Sequence, residues 1–243
     1  MEQENKFPSE IVDLPSKGIL YPEDSPLRSG TVEMKYMTAK EEDILTNQNY
    51  IEKGVVVDKL LKSLIINKDI NYNDLLVGDK NALLIAARIL GYGKDYEFSY
   101  AGEKHIIDLT EIKPKGINIP AGENEFELVL PATGRTITFK LLTHGDETKI
   151  EQEISGLRKI NKDNVPELTT RLKYMIKSID GNSDTKAVRD FVDKELLSLD
   201  SRALRKKINE IQPDIDLTFY PEGVEEGVTI PIGINFLYPD ARI

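Results

Sequence analysis

The sequence contains no cysteine. That absence removes disulfides, thiolate metal ligands, iron–sulfur clusters and thiol catalysis. Histidine is nearly as scarce, with His105 and His144 the only two. Neither belongs to a helical metal-binding pair and no third ligand stands at an informative spacing, so both are assigned ordinary structural or surface roles. No apolar run approaches the roughly 20 residues of a membrane span. The opening MEQENKFPSE lacks the basic head and apolar heart of a signal peptide, and the expectation is a protein that stays in the cytosol where it is made.

Catalytic motifs are missing as well. There is no Walker A loop and no G-x-S-x-G elbow, and GYG at 91–93 follows a helical pattern without the later glycine of a dinucleotide fingerprint. Asp180 with GNSD opens like a calcium loop, but Gly181 takes the second position and breaks the ligand order at once. Glu222, Glu225 and Glu226 fall in a turn-like stretch with no platform for a sugar. No catalytic, cofactor-binding or metal-ligating residue is therefore assigned, and the expectation is a non-enzymatic protein without cofactor. A soluble enzyme stays open as an alternative, because carboxylate spacing is a property of space rather than of sequence.

What is present is a chain of 243 residues, 40% hydrophobic and 30% charged, the balance of a soluble globular protein. Acidic residues outnumber basic ones 42 to 32, for a formal charge of -10. A uniformly acidic field works against a broad phosphate-binding face, so nucleic acid is not expected as a direct partner. Arg202, Arg205, Lys206 and Lys207 are assigned to a solvated helix face.

Pro15, Gly18, Pro22, Pro26 and Gly30 punctuate the N-terminal stretch too closely for a helix. TVEMKYM then alternates as a strand, and Thr38 with Glu41 has the spacing of a capping box, with Glu41, Glu42 and Asp43 in the first helical turn. VVVDKLLKSLII carries Val56, Leu60, Leu61 and Leu64 at helical spacing, and a clearer helix starts at Asp79 as its N-cap and runs to GYG. EFSY and HIIDL flank the turn AGEK, and NEFELVL and RTITFKLL flank PATG, as two hairpins.

Helical patterns resume near Asp146 and continue through PELTTRLKYMIKSI, KAVRDFVDKELLSL and SRALRKKINEI, with Asp184 and Asp200 as caps. Leu168, Leu172, Met175 and Ile179 make one apolar stripe, and Leu204, Ile208 and Ile211 another. DLTFY, EGVTIPI and INFLYP return to β structure.

The expected fold class is α+β, with mixed β-hairpin and helical regions, a helical bundle in the C-terminal half and a terminal β segment. Its segments are 1–145, 146–212 and 213–243, the last packed on the N-terminal region. Aromatic residues gather near the two ends, and Phe236, Leu237 and Tyr238 admit two readings: a core where the termini meet, or a partner interface.

LPSKGILYP followed by MTAKEEDIL, then VGDKNALLIAARILGYGKDYEF, LPATGRTITFKLLTHGDE and IPIGINFLYP, together resemble the baseplate hub assembly protein family of contractile-tailed, T-even-like bacteriophages. The resemblance spans roughly positions 10 to 240, and its specificity lies in the order of short pieces. It carries Leu14, Pro15, Ser16, Lys17, Gly18 and Tyr21 as an opening signature, then Thr38, Glu41, Glu42, Gly78, Asp79, Arg88, Tyr92, Phe236 and Pro239. It implies a morphogenesis protein acting in the infected bacterium's cytoplasm. Its implied partners are hub or tail proteins, with no membrane and no cofactor, and retention in the virion as a minor subunit is the alternative. The family pattern also implies paired cysteines in the segments equivalent to EFSYAGEKHIIDL and LTFYPEGVEEGV, and this chain has none. Either packing around Phe98, Tyr100, Phe219 and Tyr220 is expected to stabilise these turns without metal, or the chain departs from the family pattern here.

Overall fold

A computed structural model describes residues 8–116, 119, 121–160, 165–221, 226–232 and 234–239. It is a mixed α and β chain whose strands form small antiparallel sheets of two or three strands. Strand β1 (Ser9–Asp13) pairs with β2 (Thr31–Lys35), Val12 opposite Val32. The turn-rich Leu14–Gly30 stretch closes on itself at Gly18, whose φ of 74° is left-handed and where a Cβ would stand 2.3 Å from the Arg28 carbonyl oxygen. On its far side β2 bridges Ile65, and the Ile66 N–H donates to the Glu33 carbonyl at 3.0 Å. That leaves β1 as the outer strand.

Helix α1 (Ala39–Leu45) begins at the expected pairing, with the Glu41 carboxylate accepting from the Thr38 N–H at 3.0 Å and its hydroxyl at 2.6 Å. Burial pushes the Glu41 carboxyl up, but hydrogen bonds from Lys35 and Thr38 outweigh it and hold it below its ordinary value. After α2 (Gln48–Glu52), α3 (Val56–Leu64) buries the four apolar positions read from its spacing. Helix α4 (Val77–Tyr92) corrects the Asp79 cap: the N-cap is Leu76, and Asp79 lies inside the first turn with its carboxylate engaged elsewhere in the core.

β3 (Asp95–Tyr100) and β4 (Glu103–Asp108) form the first predicted hairpin, turning on Ala101 and Gly102, both at positive φ. β5 (Phe126–Val129) and β6 (Thr136–Phe139) form the second. Helix α5 (His144–Ile160) starts within two residues of Asp146. The helix expected through PELTTRLKYMIKSI stops early, because α6 (Glu167–Met175) gives way to β7 (Ile176–Ile179), which joins β6. Ile176 and Ser178 turn inward while Lys177 stays exposed, a two-residue period. Ile179 therefore leaves the expected stripe, and Leu168 is exposed.

α7 (Thr185–Lys194) is capped by Asp184, whose carboxylate accepts from the Ala187 N–H at 2.9 Å. α8 (Ser198–Ile211) is not capped by Asp200: Leu197 is the N-cap, and the buried Asp200 carboxylate accepts from the Ala132 N–H at 2.7 Å and the Thr133 hydroxyl at 2.9 Å. The PATG turn is thus fastened to a helix, and Leu204, Ile208 and Ile211 are buried as read.

The terminal β structure is β8 (Thr218–Phe219) paired with β9 (Val228–Thr229). INFLYP is a short helix instead, α9 (Ile234–Leu237), in which the consecutive Phe236 and Leu237 are both buried. A strand turns consecutive side chains to opposite faces. Glu222 and Glu225 lie outside the described residues. One apolar cluster holds Leu14, Leu83, Phe139, Phe191 and Phe236, so all three segments named from sequence contribute to it.

Candidate functional site

Two surfaces of α4 organise the N-terminal half. On its first turn, the fully buried Asp79 gathers the opening signature: the Ser16 N–H donates to Oδ1 at 2.9 Å, and the Ser16 and Tyr21 hydroxyls each donate to Oδ2 at 2.6 Å. The Tyr21 oxygen in turn accepts from the Leu76 N–H at 2.9 Å, satisfying an amide at the helix start. Burial raises the Asp79 carboxyl above its ordinary value, against the lowering effect of the bonds from Ser16 and Tyr21. Burial, then the Asp79 charge, raises Tyr21 too, which keeps its proton in place as a donor.

The same loop is held from outside by Arg28, whose Nη1 donates to the carbonyls of Ile19 at 2.9 Å and Tyr21 at 3.0 Å. Gly78 is dictated by contact, since a Cβ there would stand 1.7 Å from the Pro213 carbonyl oxygen.

At the far end of α4, buried Arg88 ties off the backbone, donating from Nη1 to the Gly93 carbonyl at 2.9 Å and from Nη2 to that of Asp95 at 3.0 Å. Its guanidinium lies over the rings of Tyr92 and Tyr96. Tyr92 meets Tyr238 edge-on at 6.2 Å and bonds Glu42 at 3.2 Å, and Tyr96 meets Phe236 at 4.8 Å. The C-terminal segment thus docks on α4.

Phe236 and Leu237 are 0% and 2% exposed, which corrects the interface reading for these two side chains: both are core. Tyr238 is half-buried and Pro239 exposed. Where metal knuckles were implied by resemblance, Phe219 packs on Phe98 at 5.4 Å and on His105 at 5.0 Å, coupling β8 to the β3–β4 hairpin. Tyr220 takes no large share in that packing, being 65% exposed.

Beside α4 runs a groove of about 780 Å³. Ile11, Val12 and Asp13 of β1 form one wall, with Leu14, Pro15 and Lys17 beyond it. Ala82, Ile85, Ala86 and Ile89 of α4 line it along the helix, and Leu109, Ile112 and Ile215 complete the apolar lining. Its lining is mainly apolar, and Asp13 and Lys17 are the two charged side chains in it.

The chain matches no family model, no curated protein and no solved structure. The site therefore stands on its own geometry.

The opening signature divides accordingly. Ser16 and Tyr21 reach Asp79, Leu14 and Pro15 line the groove, Gly18 makes the turn, and Lys17 stays exposed at a φ of 52°.

A second polar cluster escaped the sequence reading. The Asp58 carboxylate accepts from Lys80 Nζ at 2.7 Å and the Tyr72 hydroxyl at 3.0 Å, with His144 Nε2 3.4 Å from its other oxygen. His144 Nδ1 is 3.2 Å from Lys80 Nζ, and its ring meets Tyr72 edge-on at 4.6 Å. Burial, then the Lys80 charge, lowers the His144 imidazole below its ordinary value. These residue types could transfer protons, and none of them lines the four grooves of about 540, 600, 780 and 460 Å³ among the described residues. The cluster joins α3, α4 and the start of α5, and no signal in spacing announces it, because its members come from four separate stretches.

Proposed function

We propose that this chain is a non-enzymatic morphogenesis factor of a contractile-tailed bacteriophage, which binds a component of the central baseplate hub while the hub is built in the infected cell. One observation carries most weight. The first and last of the stretches on which the resemblance rests both pack against the helix formed by another of them, Ser16 and Tyr21 onto Asp79 at one end of α4 and Tyr238 onto Tyr92 at the other. These two stretches fix opposite ends of the same helix.

Next to that helix lies an open apolar groove, which suits recognition of protein better than chemistry on a small molecule. The negative charge of -10 turns away nucleic acid and acidic competitors.

The test is affinity purification of the tagged chain from infected cells, followed by binding of the purified chain to each purified hub component without nucleotide or metal. Direct association with one component supports the function. Robust turnover of a defined substrate with no such association overturns it. Quantifying the chain in intact virions against cell lysate separates a transient factor from a retained subunit.

A further inference from the structure

The β1–β2 register fixes which backbone groups of β1 are used. Tyr36 donates its N–H to the Pro8 carbonyl at 3.0 Å and Leu14 donates to Gly30 at 2.8 Å, so the even-numbered residues of β1 exchange hydrogen bonds with β2. Ser9, Ile11 and Asp13 must turn their N–H and carbonyl groups the other way. On β2 the same alternation sends the Glu33 carbonyl outward, where Ile66 takes it up. On the β1 side, no described residue pairs with the outward groups. Ile11 and Asp13 both line the groove beside α4, and the Ile11 side chain is 71% exposed.

We propose that this groove takes an extended segment of a partner protein, added antiparallel or parallel as a third strand on the outer edge of β1. The proposal rests on the reading of the chain as a protein-binding factor. An unpaired strand edge beside an apolar trough specifies its ligand: main-chain groups complete the ladder, and alternate side chains enter the trough over Ala82, Ala86 and Ile89. Pro8 and Pro15 bracket the edge, so about five residues can pair, a span of roughly 17 Å.

Glu10, whose carboxylate also accepts from the Tyr36 hydroxyl, and Asp13 flank that edge, with Lys17 farther along the groove, so lysine or arginine is called for on the part of the incoming segment that lies against β1. A second copy of this chain fits poorly. Each copy carries a charge of -10, so two copies repel one another as they approach.

The probe is a fluorescein-labelled, end-blocked peptide of sequence Lys-Val-Ser-Val-Ser-Val-Lys, titrated with the full chain and read by anisotropy and by amide exchange. A control replaces every valine by serine at the same charge. Expected is saturable binding of the valine peptide only, with exchange at Ile11 and Asp13 slowed at least tenfold. Ile11→Pro deletes an outward N–H that β2 does not use, and proline is tolerated at such an edge. Ala86→Glu puts a charge into the trough from a partly exposed position.

Each variant is expected to weaken binding at least tenfold, with melting temperature and circular dichroism unchanged. No saturable binding, or wild-type affinity and exchange in both variants, overturns the proposal. The two readings also separate: wild-type retention of a hub component by both variants keeps the hub and removes the groove. Peptide binding without any hub component does the reverse.

Discussion

Tyr21 and Asp79 lie 58 residues apart in sequence and share a 2.6 Å hydrogen bond in the core. Tyr21 also accepts from the Leu76 N–H, so one hydroxyl links the N-terminal loop to both the cap and the first turn of α4. Removing the carboxylate strands three donors at once, since Ser16 supplies two of them. Asp79→Ala is expected to cost on the order of 3 kcal/mol, and Tyr21→Phe on the order of 1–2. The double variant should fall well short of the sum, which urea denaturation of the four proteins measures as a coupling energy.

Gly78 faces backbone rather than side chain. A Cβ would meet the Pro213 carbonyl oxygen at 1.7 Å and its carbon at 2.7 Å, and neither can rotate away. Gly78→Ala is therefore expected to destabilise by about 2 kcal/mol or more, although alanine favours helix. Gly156, at an exposed position of α5 with open space around its Cβ position, is the control: Gly156→Ala should be neutral or stabilising in the same thermal melt.

Leu237 and Tyr238 are neighbours with different fates. Leu237→Ala opens the core and should cost about 2–4 kcal/mol. Tyr238→Ala loses an edge-on contact with Tyr92 and should cost about 1 kcal/mol or less. Equal, negligible costs in denaturant titrations would return Leu237 to the surface.

The His144 cluster predicts a pH dependence with a definite sign. Burial and Lys80 hold the folded imidazole below its unfolded value of about 6.5, with Lys62 acting the same way and Asp58 and Glu147 opposing. The unfolded chain then binds the proton more readily, so this contribution is complete above about pH 6.5 and is lost as pH falls. Melting temperature measured from pH 7.5 to 5.5 should drop more for wild type than for His144→Gln. A parallel decline in both would remove His144 as the cause.

Much of the scaffold was legible because local chemistry and tertiary packing agree there. The Thr38–Glu41 start, the Val56–Leu64 stripe, the two hairpins and the Asp184 cap each follow from spacing that the core respects. Misreadings cluster where a polar or apolar residue serves a distant partner. Asp79 and Asp200 look like caps and are instead acceptors for loops far away in sequence. Ile176–Ile179 carries helical spacing with its neighbours, but the open edge of β6 recruits it as a strand.

The groove had only a faint signature, Ala82 and Ala86 one turn apart with Ile85 and Ile89 on the same helix. Its other wall, β1, became visible only through register.

The proposed contact is with a baseplate hub component, at the face made by β1 and α4. Calorimetric titration of each purified hub component into the full chain, without metal or nucleotide, tests it most directly. One component should bind wild type saturably and bind Ala86→Glu at least tenfold more weakly. Failure of every component to bind the folded wild-type chain would contradict the account.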